Sequence, residues 1–173
     1  MADRTFLAYD LGAESGRAVL ASLSDGRLTL EEKHRFPNPV GRMTGHLYWN
    51  ILAQWEELKT GLRKATEGLT RPLSGIGVDT WGVDFGLLSR DGELLGNPVH
   101  YRDPRTEGTL ERTFARVPKQ RIFEATGIQF MQLNTLYQVF AMSHEMNSLI
   151  ENASKLWSSS LARGLSTWSM RSS

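Results

Sequence analysis

The chain contains no cysteine. Disulfides and thiolate zinc sites are therefore excluded, and a reducing compartment suits it. Long apolar runs are missing too. Asp10 ends the stretch Thr5-Phe6-Leu7-Ala8-Tyr9, which is shorter than the roughly 7–15 apolar residues of a secretory leader. Nothing approaches the roughly 20 apolar residues of a membrane span. No membrane partner is expected, and the cytoplasm is the expected location. A surplus of one charge is also lacking: 20 Lys and Arg stand against 19 Asp and Glu, a net +1. No basic face or tail marks a nucleic-acid binder. The four histidines, His34, His46, His100 and His144, are scattered without metal-ligand spacing.

What remains is an ordinary globular composition, 40% hydrophobic over 173 residues, enough for one domain with a proper core. Residues 5–10 read as a buried strand and 17–23 as a second. Asp25-Gly26 signals a hairpin turn. Residues 27–35 then make a third strand with Leu28, Leu30 and Phe36 on one side, completing an antiparallel meander. The Pro- and Gly-containing segment 36–46 reads as a loop. A helix follows Asn50, its apolar side formed by Ile51, Leu52, Trp55, Leu58, Leu62 and Ala65. Strands at 74–79 and 84–88, with a turn at 90–93, precede helices at 106–117, 119–125 and 135–152. The last is expected to turn Leu136, Val139, Phe140, Met146, Leu149 and Ile150 inward. This order predicts an α/β fold, a mixed sheet with flanking helices.

Four polar clusters stand out. The first, Asp10-Leu11-Gly12-Ala13-Glu14-Ser15-Gly16-Arg17, links two strands. A tight turn of this kind presents successive backbone N–H groups to phosphate oxygens. Ser15 adds a hydroxyl, Arg17 a fixed positive charge, and Asp10 a carboxylate suited to Mg²⁺. It is neither a Walker A loop nor a dinucleotide fingerprint, because no Gly-Lys-Ser/Thr ends it and a strand, not a helix, follows. A plain turn is the competing reading. The second cluster, Asp79-Thr80-Trp81-Gly82-Val83-Asp84, combines acids, a hydroxyl, an indole and a glycine in a way that suits a sugar; a hairpin with a core tryptophan competes. The third, His100 to Thr106, reads as a surface ion pair or as a substrate loop around Arg102. In the fourth, residues 127–135, Asn134 or Thr135 caps the next helix.

The segments YDLGAESGR, EKHRFPN, IGVDTWGVDFGLL, YRDPRT and GIQFMQLNTLYQ resemble the FGGY family of carbohydrate kinases, most closely its members that act on L-rhamnulose. The resemblance implies a ribonuclease-H-like, actin-like ATPase fold, incomplete here. It also implies ATP and Mg²⁺ as cofactors, and phosphoryl transfer to the 1-hydroxyl of the sugar. On this footing Ala13, Glu14, Ser15, Gly16 and Arg17 hold the ATP phosphates and Asp10 is the metal-linked acid. Gly82, Trp81, Asp84 and Arg102 face the sugar. Residues 1–156 are expected to be a partial family domain. Residues 157–173, rich in serine, are expected to be an aberrant, disordered tail produced by a break in the reading frame. The family's general base, an Asp in a His-Asp-Thr segment, is expected beyond this chain. The isolated chain is then inactive, a sugar-binding remnant, or one half of a split kinase completed by the missing carboxy-terminal half.

Overall fold

The computed structural model describes residues 4–158, together with the backbone of 168–169. The chain divides into two compact units, one formed by Met1–Pro39 and Asn50–Trp81, the other by Val40–Trp49 and Gly82–Ser173.

The first unit is built on a mixed four-stranded sheet. Strands β1 (Arg4–Leu11), β2 (Ser15–Ser24) and β3 (Arg27–Pro37) form the expected meander, and helix α1 (Ile51–Thr66) carries the chain back to β6 (Gly75–Thr80). The strand order is β3-β2-β1-β6, with β6 parallel to β1 and the other pairs antiparallel. The turn between β2 and β3 places Asp25 at φ 49° and Gly26 at φ 76°, the double left-handed geometry that matches strand twist. Asn50 caps α1, its side chain accepting from the Ala53 N–H at 3.1 Å.

Leu7, Tyr9, Ala18, Leu20 and Ala65 form the core, with Leu58, Leu62, Leu69 and Leu73 packed against them. Two expectations need correction here. On α1 the fully buried residues are Gln54, Gly61 and Ala65, whereas Leu52 and Trp55 are 71% and 58% exposed. The helix brings Gly61 and Ala65 closest to the sheet, because only small residues permit this approach. A Cβ at Gly61 would stand 2.7 Å from the Ala18 Cβ and 3.1 Å from the Tyr9 ring. On β3, Leu28, Leu30 and Phe36 do not share a side. Ala18 faces His34 and Val19 faces Glu32, so Lys33 is an extra residue, a β-bulge. The bulge reverses the alternation. Phe36 is buried on the α1 side, while Leu28 and Leu30 lie exposed on the other.

The second unit contains the hairpin β4 (Val40–Met43) and β5 (His46–Trp49), and the antiparallel sheet β7 (Phe85–Leu88), β8 (Lys155–Ser158) and β9 (Trp168–Ser169). It also holds a 3-10 turn at Pro104–Thr106 and helices α2 (Thr109–Phe114), α3 (Lys119–Thr126), α4 (Thr135–Glu145) and α5 (Asn147–Asn152). The expected loop at 36–46 therefore contains a strand and a turn. Thr44 and Gly45 both take positive φ, 51° and 87°. A β-branched residue rarely adopts that conformation, so the turn carries a weak signal. The single helix expected at 135–152 breaks at Met146 (φ −131°). Its buried residues are Tyr137, Gln138, Ala141 and Met142, while Leu136 is exposed. The core here joins Phe85, Leu87, Val99, Met142 and Ala153, with Val139, Met146, Leu149 and Ile150 in partial burial. Trp157 and Ser158, the first residues of the expected tail, belong to β8. The expectation for 159–167 and 170–173 lies outside the described residues.

The Gly61 contact gives a measurable expectation. Gly61→Ala gains about 1 kcal/mol of helix propensity but overpacks a contact whose partner is fixed to the backbone, for a net loss of about 1–2 kcal/mol. Gly77→Ala meets no atom within 4 Å and serves as the control. Urea denaturation should show a lower midpoint for the first variant only.

Candidate functional site

The hairpin between β1 and β2 is the most densely organised feature of the first unit. The Gly12 N–H donates to the Ser15 carbonyl at 2.9 Å and closes the turn. Gly16 packs against the Phe36 ring, and a Cβ at that position would stand 2.2 Å from the Phe36 Cζ. Asn38, just past β3, binds the hairpin twice. Its N–H donates to the Glu14 carbonyl at 2.9 Å, and its Nδ2 donates to the Gly12 carbonyl at 3.0 Å. Among the described residues, the N–H groups of Ala13 and Glu14 donate to no protein acceptor. The tip therefore carries unused donors, which is what an anion requires.

The strand ends supply charge. Arg17 sits opposite Asp10 across β1 and β2 and makes an ion pair with it. Asp79 sits opposite Asp10 on the other side, from β6. Arg35 sits opposite Arg17 from β3 and grips Glu32 through Nε and Nη2 at 3.0 and 2.6 Å. Directly opposed residues share a sheet face. Asp79, Asp10, Arg17 and Arg35 thus form one row across the face opposite α1. Asp10 and Arg17 are close to half exposed, at 45% and 43%, so both remain within reach of a ligand. The row sets two acids beside two bases. A dication and a polyanion can both find a partner there.

The residues present fit a magnesium ion. Asp10 engages Arg17 through one oxygen, leaving the other, and Asp79 stands beside it. Mg²⁺ commonly takes one or two carboxylates and keeps several waters. It needs no cluster of three or more ligating side chains, and none occurs among the described residues.

The remaining sequence candidates belong to other places. Trp81 ends the first unit, and Gly82, Asp84 and Arg102 belong to the second. Within the second unit the segment 82–84 is pinned by α4. The Thr135 hydroxyl and the Gln138 Nε2 both donate to the Val83 carbonyl, at 2.8 and 3.0 Å. Asp84 is buried and accepts from the Trp49 indole N–H at 2.5 Å. Trp49 in turn lies on His100, ring centroids 4.1 Å apart, and His100 stacks on Tyr101 at 4.5 Å. Arg102 extends over the Tyr101 ring at 5.3 Å. Burial lowers the His100 pKa. Its Nδ1 accepts from the Arg102 N–H at 2.9 Å, which places a ring proton on Nε2 in the neutral form. Gly82 and Arg102 are exposed. Asn134 precedes α4 without a side-chain cap bond; its Nδ2 donates to the Gln129 carbonyl instead.

The ion pair expected at the surface near residue 103 is instead an interior one. Asp103 and Arg105 are 1% and 3% exposed, with an N–O distance of 3.3 Å. Asp103 also accepts from the Leu47 N–H at 2.7 Å, from His46 at 3.1 Å and from the Arg105 N–H at 3.1 Å. Arg105 reaches the His100 carbonyl at 3.1 Å and Gln138 at 2.6 Å. The pair is interior because the β4–β5 hairpin and α4 close over it. Neither element announces that in sequence.

Comparisons with known proteins agree with this architecture. Residues 5–162 match the FGGY family of carbohydrate kinases, N-terminal domain. The chain is 43% identical over 153 residues to a rhamnulokinase of Bacteroides thetaiotaomicron, covering 88% of this chain and 31% of that protein. It is 46% identical over 140 residues to a rhamnulokinase of Mannheimia succiniciproducens, covering 80% and 29%. It therefore spans about 31% of the length of the curated relatives it matches. Among solved structures, a gluconate kinase from Lactobacillus acidophilus superposes with a TM-score of 0.77 at 15% identity, covering 90% of this chain and 31% of the other. A Plasmodium falciparum glycerol kinase with ADP gives 0.64 at 14% identity, covering 86% and 30%. These sugar kinases share the actin-like ATPase fold with this chain.

Asp103 contributes to the acid sensitivity of the second unit. Burial alone would raise its pKa, but the Leu47 N–H, His46 and Arg105 together bring it below the ordinary carboxylate range. A depressed carboxylate stabilises the fold above its unfolded pKa of about 3.9, and that contribution is lost as pH falls below it. Asp103→Asn should cost about 2–4 kcal/mol at pH 7 and flatten the acid limb of a denaturation series between pH 7 and pH 3. With its sequence match and its fold in agreement, this chain belongs to the FGGY family of carbohydrate kinases.

Proposed function

We propose that the chain supplies the phosphate-holding hairpin and part of the sugar pocket of a kinase that transfers the γ-phosphoryl group of ATP to the 1-hydroxyl of L-rhamnulose. The observation that carries this reading is the hairpin at 12–16, with unused amides at its tip and the row Asp79, Asp10, Arg17 and Arg35 at its base. The identity to rhamnulokinases supports the choice of sugar, and the ADP held by a glycerol kinase of like fold supports the nucleotide.

Phosphoryl transfer depends mainly on positioning and on neutralising charge. The backbone at Ala13 and Glu14, the Ser15 hydroxyl and the Arg17 guanidinium hold phosphate oxygens. Gly16 has no side chain and lets Phe36 support the turn from below. Asp10, with Asp79 beside it, holds Mg²⁺. When bound, the ion offsets the phosphate charge. Trp81, Gly82, Asp84 and Arg102 serve the sugar. Asp84 does so indirectly, by fixing Trp49 beneath the loop.

The sequence has no His-Asp-Thr segment, so on this reading the chain positions phosphate and sugar without supplying the base. Alone it is inactive. A second reading, one half of a split kinase or a sugar-binding module, is favoured by the apolar residues left bare in the first unit. Ile76 and Val78 on the edge strand β6 are 56% and 59% exposed, and Leu28 and Leu30 on β3 are 57% and 67% exposed.

Grafting residues 1–156 in place of the matching segment of the Bacteroides thetaiotaomicron rhamnulokinase tests the proposal. A coupled ATPase assay should show L-rhamnulose-dependent turnover, and Asp10→Asn in the graft should lower kcat by about 100-fold or more. The pure 173-residue chain should give no turnover above background. A folded graft without activity on L-rhamnulose, or turnover by the chain alone, overturns it.

A further inference from the structure

One residue in the first unit is polar where its helix needs an apolar or small group. Gln54 is 7% exposed on the buried side of α1, in company with Gly61 and Ala65. Its partner explains it. The Gln54 Nε2 donates to Asn38 Oδ1 at 2.6 Å, and Asn38 is itself 4% exposed. We infer that Asn38, held in place by Gln54, is a positioning residue for the phosphate hairpin and sets the direction in which the hairpin's N–H groups point. The inference rests on reading that hairpin as the phosphate site.

The polarity of the chain of bonds has one solution. The Gly12 carbonyl can only accept, so the side chain of Asn38 must turn its NH₂ toward it. Asn38 Oδ1 then faces Gln54, which must donate. A trans peptide points its C=O and N–H in opposite directions. Tying the Gly12 carbonyl to Asn38 therefore turns the Ala13 N–H away from Asn38. Tying the Glu14 carbonyl to the Asn38 N–H does the same for the Ser15 N–H. The Ala13 amide, one of the turn's two unused donors, is thus aimed from behind by the Asn38 side chain, and the Ser15 amide at the start of β2 by the Asn38 backbone N–H.

The local sequence favours this use. Asn38 lies between Pro37 and Pro39, so of these three residues it alone has an N–H to give. The two rings restrict its backbone and that of its neighbours. Pro37 ends β3 opposite Ser15, which brings Asn38 level with the turn. Gln54 adds an anchor on α1, a rigid element, so the hairpin is referred to the helix as well as to its own strands.

Two variants of conserved size separate this role from general stability. Gln54→Met keeps the volume and removes the donor. Asn38→Asp keeps the shape but sets an acceptor against the Gly12 carbonyl. Amide hydrogen exchange on the 173-residue chain reads the hairpin directly through the Gly12 N–H. Titration with inorganic tripolyphosphate reads the site, and thermal melting reads the whole. Both variants should stay folded, exchange the Gly12 amide about 10-fold faster and bind tripolyphosphate about 10-fold more weakly. The double variant should be no worse than Asn38→Asp alone, because the residues act in series. A folded Gln54→Met or Asn38→Asp chain with wild-type exchange and affinity, or a double variant whose effects simply add, overturns the inference while leaving the phosphate reading intact. Failure of the wild-type chain to bind tripolyphosphate overturns the phosphate reading itself, and the inference with it.

Discussion

The first unit depends on how closely α1 can approach the sheet. Gly61 lies against Ala18 and Tyr9 with no room for another carbon, and the Tyr9 hydroxyl donates to the Leu58 carbonyl at 2.6 Å in the same contact. This close seat has several consequences. It lets α1 carry the chain across to a parallel strand, so that β6 brings Asp79 level with Asp10. The same seat presents Gln54 to Asn38 and His34 to Glu57 and Lys64, at 2.6 and 3.0 Å. His34 tilts against Phe36 at 5.5 Å, and Phe36 supports Gly16. A helix with a larger inner surface would ride higher on the sheet and loosen each of these contacts.

Much of this was legible in the sequence, and the reasons are local. The meander follows from short alternating runs joined at Asp25-Gly26, a turn whose residues prefer the geometry it adopts. The helix after Asn50 follows from its cap and period. The hairpin 10–17 and the loop 79–84 could be singled out because their residue types match a chemistry at short range. What stayed hidden was set by contacts between distant segments. The bulge at Lys33 shows only when β3 is laid against β2. Gln54 reads as a surface residue until Asn38 is brought to it. Asp103 and Arg105 read as a solvent-exposed pair until the β4–β5 hairpin and α4 bury them. The strand at 46–49 was missed because Thr44 turns the chain with a residue poorly suited to it.

The two sets of similarities differ in a way that fits this division. Rhamnulokinases keep about two residues in five of this chain, whereas kinases of like fold keep about one in seven. A backbone path survives such loss because many side chains satisfy the same pattern of burial. The polar contacts that depend on donor and acceptor placement, such as those of Asn38 and Asp103, have fewer substitutes.

The bulge at Lys33 divides β3 into two stretches that answer to different surroundings. His34 and Phe36 face α1 and the hairpin, whereas Leu28 and Leu30 lie on the bare face of the sheet. In packing terms the strand is two strands. Its first half turns its leucines to open surface, while its second half supports the turn. Loss of the single bulged residue would join the halves into one regular strand, and a one-codon deletion there would do more damage than many substitutions along its length.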